Sequence, residues 1–164
     1  MIDLYLLRHG QAIDHESSDS LRPLSQRGEE EAERVALVLR KLSVSPGAIL
    51  SSPLLRAQQT AAIVRRGIGM NKEAEITEYL TPSTDQRQII GHLNMRDSPA
   101  GILLVSHEPF LSVLISQLVG GSRNVRVDVG TGCLACVRLP SPIATGSGVL
   151  RWLLPQQAIR SLLE

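Results

Sequence analysis

Short apolar runs alternate along this chain with longer segments whose apolar residues recur at helical spacing, and this alternation is what most restricts the fold. Ile2–Leu7, Ala48–Leu50 and Gly101–Val105 are apolar at nearly every position, which suits strands buried on both faces. In segment 25–42, Ala32, Val35, Ala36 and Leu39 form one stripe, the pattern of a helix lying on a sheet. Ser25 is placed to cap that helix, Glu29–Glu31 read as its solvated acidic start, and Arg40-Lys41 suit its negative end. A second helix is expected from Ser52-Pro53, with Ser as cap and Pro as first helical residue, to Arg66 before Gly67. Others are expected from about Thr84 to Asn94 and from Glu108 to Val119, the latter closed by Gly120-Gly121. Strands near Glu75–Thr77, Cys133–Leu139 and Val149–Leu154 and a short terminal helix complete the series. Asp14–Ser20 reads as an exposed polar loop. The implied fold is α/β: a three-layer α/β/α sandwich around a mostly parallel central sheet, with 1–164 as a single domain.

Composition narrows the class of function. Aromatic residues make up only 2% of the 164, so the core must be built from Leu, Ile, Val and Ala. A net charge of +1 offers no global basic field for nucleic acid. No apolar stretch reaches the ~18 residues that span a bilayer, and the N-terminus lacks the features of a secretory signal. The expectation is a cytoplasmic monomer that binds neither nucleic acid nor membrane. Cys133 and Cys136 fall on a strand at a spacing that points them to opposite faces, which is poor geometry for a disulfide. With no second Cys pair there is no zinc pattern. Gly130-Thr131-Gly132-Cys133-Leu134-Ala135 satisfies a relaxed dinucleotide fingerprint but leads into a β-like run, not the helix such a site needs.

The chemistry concentrates where strands end. In open α/β sheets ligands bind beyond the carboxyl ends of the strands, and three such ends here carry basic residues. The first delivers Arg8 and His9, followed by Gly10; the second leads through Ser51-Ser52-Pro53 to Arg56; the fourth delivers Ser106-His107-Glu108-Pro109. Arginine neutralises phosphoryl oxygens through a planar fork of donors, and a helix N-terminus beside Arg56 already favours an anion. Histidine can itself take a phosphoryl group. Two guanidiniums and two imidazoles suit a tetrahedral dianion. His15 and His92 fall outside this set. Ser106 lacks the Gly-x-Ser-x-Gly setting of a hydrolase nucleophile. Arg22 is placed either to orient the loop after the first strand or to meet substrate.

The chain resembles the histidine phosphatase superfamily, and within it the small SixA-type protein-histidine phosphatases. The resemblance rests on Leu7-Arg8-His9-Gly10, Arg22-Pro23-Leu24-Ser25 with Gly28, Ser51-Ser52-Pro53 with Arg56-Ala57 and Gln59-Thr60, Leu80-Thr81-Pro82, and Ser106-His107 with Pro109. These occur in family order across residues 7 to 109. The resemblance implies a phosphoglycerate mutase-like fold, His9 as the nucleophile that becomes phosphohistidine, Arg8, Arg56 and His107 as phosphoryl ligands, and no metal or other cofactor. Glu78 lies near where relatives acting on esters place their acid, and is carried as a candidate acid or substrate contact. Only about eighteen residues separate Pro82 from Gly101, too few for a large inserted helical subdomain. An uninserted site suits a phosphorylated protein, such as a histidine phosphotransfer domain, better than a small metabolite. Two alternatives stand beside it: a phosphatase of small phosphate esters or phosphoramidates, and a non-catalytic phosphoprotein-binding module.

Overall fold

The computed structural model describes residues 1–14, 18–97 and 100–164. Its centre is a six-stranded sheet of order β3-β2-β4-β1-β5-β6. The strands are β1 (Ile2–Arg8), β2 (Ala48–Ser51), β3 (Glu75–Ile76), β4 (Ile102–Ser106), β5 (Leu134–Leu139) and β6 (Val149–Leu154). β1 through β4 pair in parallel, while β5 runs antiparallel to both β1 and β6. The fully apolar strands occupy the middle of the sheet, as their composition requires. β4 inserts between β1 and β2, with Ile102 level with both Leu4 and Ala48.

Helices cover both faces. α1 (Gln26–Lys41), α2 (Leu55–Gly67) and α5 (Gln156–Leu163) bury Val35, Leu39, Ala61, Val64 and Ile159 against Tyr5, Leu7 and Leu103 on one face. On the other, α3 (Gln86–Asn94) and α4 (Phe110–Gly120) bury Ile89, Leu93, Phe110 and Leu114 against Leu4, Leu6 and Leu104. Alternate residues of one strand thus serve opposite cores, which follows from the two-residue period of a strand. Cys133 and Cys136 obey the same rule and lie in different cores. Burial pushes their thiols up to about 12 and about 11.

Three local expectations are corrected. Ser25 does cap α1, accepting from Gly28 N at 3.1 Å, but Glu31 is buried rather than solvated, with 1% of its surface exposed. α2 starts at Leu55, not at Pro53. Ser52 N still bonds Val105 O across the sheet at 3.0 Å, so the backbone there has not yet turned helical. In the polar stretch after β1, Asp19–Leu21 forms a turn of 3-10 helix, while His15 lies outside the described residues.

Candidate active site

The carboxyl ends of β1, β4 and β2 finish level with one another. Arg8 is in register with Ser106, and His9 N extends the ladder to Ser106 O at 3.1 Å. Arg8, His9, Arg22, Arg56 and His107 line one cleft of about 350 Å³ there. A larger cavity of about 460 Å³ opens at the other end of β1 near Ile2 and Arg96. Both terminal nitrogens of Arg96 are already bonded to Glu75, at 2.8 Å each. Size alone does not mark the site.

His9 is 7% exposed. Its Nδ1 lies 2.7 Å from the Gly10 carbonyl oxygen, which can only accept, so Nδ1 carries the proton. Arg56 Nε then donates to His9 Nε2 at 3.3 Å, which marks Nε2 as the nitrogen with the lone pair. Burial, reinforced by the charges of Arg56 and Arg8, pushes the imidazole down to about 4, against a smaller upward pull from the Gly10 bond. At neutral pH the ring is uncharged, with one fixed tautomer.

His107 stands beside it, its ring centroid 4.9 Å from that of His9. Ser52 Oγ accepts from Leu54 N at 3.3 Å and meets His107 Nε2 at 2.7 Å. Among the described residues His107 Nε2 is the one acceptor in reach of the Ser52 hydroxyl hydrogen, so that hydrogen goes to Nε2 and leaves the ring proton on Nδ1. Burial first, then His9 and Arg56, pushes His107 down to about 3. The serine expected to cap α2 thus sets the tautomer of a site histidine.

Arg8 donates through Nη1 to Val129 O at 2.9 Å. Its Nε, like His107 Nδ1, is a buried donor with no hydrogen-bond partner among the described residues. Buried donors ordinarily find partners, and two unpartnered ones on cleft-lining side chains fit a bound oxyanion. Arg56 is 5% exposed and is gripped from outside by Asp19, through Nη1 to the backbone oxygen at 2.8 Å and Nη2 to Oδ2 at 3.2 Å. Arg22 also binds Asp19, at 3.1 Å through Nη1.

The other motif residues hold this arrangement together. Thr60 Oγ1 donates to Arg56 O at 2.7 Å and accepts from Gly10 N at 3.1 Å. Gln59 Oε1 accepts from Leu24 N at 2.8 Å. Ser106 Oγ donates to Leu80 O at 2.7 Å, so it bridges strand to loop. Glu31 accepts from Gln11 N at 2.8 Å, from Arg27 Nε at 3.1 Å and from Thr131 Oγ1 at 3.3 Å; Gln11 and Thr131 both line the cleft. Gly132 N donates to both Arg8 O and His9 O, at 3.1 and 3.2 Å. The glycine-rich segment before β5 therefore buttresses the site.

Four of the sequence candidates, Arg8, His9, Arg56 and His107, meet in the cleft. Glu78 does not join them: it is exposed in a second 3-10 turn, Glu78–Leu80, and is not among the lining residues, whereas Glu108 is. Asp19, Glu31 and Glu108 escaped the sequence reading. Asp19 sits in a stretch of polar residues with no pattern of its own. Among the described residues, no group of three or more His, Cys, Asp or Glu side chains gathers in a way that could hold a metal ion.

Residues 4–81 match the family described as the histidine phosphatase superfamily (branch 1). The phosphohistidine phosphatase SixA of Escherichia coli (strain K12) is 30% identical over 153 residues, which cover 92% of each chain. A SixA homologue of Haemophilus influenzae is 30% identical over 128 residues, 73% of this chain and 78% of that one. The solved structure of the protein histidine phosphatase SixA complexed with tungstate superposes with a TM-score of 0.85 and 28% identity, covering 95% of this chain and 98% of the other. With the motifs on matched strand ends and a relative aligned over nearly its whole length, the chain belongs to the histidine phosphatase superfamily.

Proposed function

We propose that this protein is a metal-independent phosphohistidine phosphatase, a single-domain cytoplasmic monomer acting on a phosphorylated partner protein such as a histidine phosphotransfer domain. The observation that carries this reading is the fixed tautomer of His9. Its Nδ1 proton is committed to Gly10 and its Nε2 lone pair faces the cleft cations. A neutral imidazole held this way is ready to attack phosphorus without first losing a proton. Arg8, Arg56 and the Nδ1–H of His107 would bind the phosphoryl oxygens and stabilise the charge that moves onto them in transfer. Water then releases phosphate from His9.

The absence of a large insertion supports a protein substrate. Between Pro82 and β4, α3 is the only helix among the described residues. Glu78, outside the cleft lining, fits a rim contact with the partner better than a proton donor. The SixA proteins named above are phosphohistidine phosphatases by name, and the same chemistry is carried over here.

The test is phosphate release from a phosphohistidine protein and from a generic aryl phosphate, each with and without chelator. Turnover of the first is expected with chelator present, and His9→Ala is expected to lose at least ~10³-fold, as removal of a nucleophile does. Turnover of the aryl ester alone would favour a small-molecule phosphatase. Turnover of neither would favour a binding module, and chelator inhibition would rule out the metal-free route.

A further inference from the structure

Among the described residues lining the cleft, Glu108 alone is acidic; around it are the cations Arg8, Arg22 and Arg56 and the neutral imidazoles of His9 and His107. It follows His107 directly and precedes α4. Its Oε1 accepts from Ser112 N, in the first turn of α4, at 2.8 Å, so one oxygen anchors the side chain to the helix. The structure shows no hydrogen bond to Oε2 among the described residues.

A carboxylate in this position opposes a phosphoryl dianion by like-charge repulsion. Its favourable partner must therefore be the other part of the substrate, the leaving group. An ester leaves as an oxyanion, which the same carboxylate repels. A phosphoimidazole protonated on its distal nitrogen is instead a cation with an N–H donor, and a carboxylate is its natural acceptor.

We propose that Glu108 selects the leaving group, accepting a hydrogen bond from the distal ring N–H of a protonated phosphoimidazole and so favouring phosphoramidates over phosphate esters. The inference rests on the phosphohistidine reading above and deepens it. In the step itself, His9 Nε2 forms a bond to phosphorus while the bond from phosphorus to the substrate ring nitrogen breaks. That electron pair returns to the ring. The ring entered with a proton on its other nitrogen, keeps it, and departs as neutral imidazole, so no protein acid has to supply one. Glu108 holds the ring in the protonated form that makes this route available.

The experiment compares wild type with Glu108→Gln on two substrates, a peptide carrying phosphohistidine and p-nitrophenyl phosphate. Glutamine keeps a side-chain oxygen to accept from Ser112 N, so the contact with α4 survives. On the peptide, kcat/KM is expected to fall about tenfold, the size of one charge-assisted hydrogen bond. On the aryl ester it is expected to stay level or rise. Unfolding or general damage would lower both, so equal losses, or an unchanged ratio between the substrates, overturn the role of Glu108 alone. A wild-type enzyme without phosphohistidine turnover would overturn the functional reading and this inference together.

Discussion

Asp19 meets Arg56 twice, with its backbone oxygen 2.8 Å from Nη1 and its carboxylate 3.2 Å from Nη2, and this double grip turns the Nε edge of the guanidinium toward His9. Asp19 is thereby a positioning residue acting through Arg56. Replacing Asp19 by Ala should lower kcat/KM about tenfold, because small misplacements of a catalytic donor are costly. In an Arg56→Ala background the same change should cost less than about twofold, since its target is gone. The double-mutant cycle checks this; equal costs in both backgrounds would show that Asp19 acts by another route. Vanadate affinity, measured on the same four proteins, reads the cycle without turnover.

The depressed histidines make a signed pH prediction. His9 lies at about 4 in the folded protein against 6.5 unperturbed, so the proposed nucleophile stays unprotonated well below neutrality. Its own titration should leave kcat/KM level from pH 7 to 5 and reduce it only near pH 4. Stability runs differently. As pH falls below 6.5 the unfolded state takes up protons that folded His9 and His107 refuse, so stability present above 6.5 is lost toward about 4 and about 3 respectively. The thermal midpoint should decline from pH 6.5 to 4.5, and less steeply in His9→Asn; parallel slopes would contradict the assigned shift.

Gly28 faces the loop after β1 at backbone distance. A Cβ there would overlap the Gln11 carbonyl oxygen, and one on Gly10 would overlap that of Gly28. These are backbone atoms, which cannot rotate away. Gly28→Ala should destabilise by about 1–3 kcal/mol, the usual cost of overpacking, and should lower activity in the folded fraction by displacing Gly10 and with it the His9 anchor. Denaturant unfolding and active-site titration separate the two effects.

Glu31 is the buried tie between α1 and two cleft walls. Glu31→Ala leaves Gln11 N and Thr131 Oγ1 without their acceptor and should cost about 2–3 kcal/mol, as expected for bonds to a charged group. Glu31→Gln, which keeps one acceptor oxygen, should cost less. Urea midpoints of the two variants give the comparison, and equal midpoints would show that the carboxylate bonds contribute little.

Much of this was legible because the informative residues act locally. The apolar runs of β1, β2 and β4 declare double-sided burial, and Ser25 caps the helix it precedes. The errors have a common cause, which is tertiary competition for a side chain whose local meaning looked complete. Ser52 reads as a helix cap until His107 engages its hydroxyl from across the sheet. Glu31 reads as one of three solvated acids until the Gln11 and Thr131 loops fold over it. Glu78 and Glu108 are both loop carboxylates next to motif residues, and only the path of the chain decides which one reaches the cleft. Asp19 had no signal at all, since its role depends on where Arg56 points.

The place of β4 in the sheet has a consequence for biosynthesis. His9 follows β1 and Arg56 follows β2, yet these two strands do not touch; the later-made β4 wedges between them. A polypeptide still emerging from the ribosome therefore has no sheet to hold His9 and Arg56 side by side until Ile102–Ser106 has been translated.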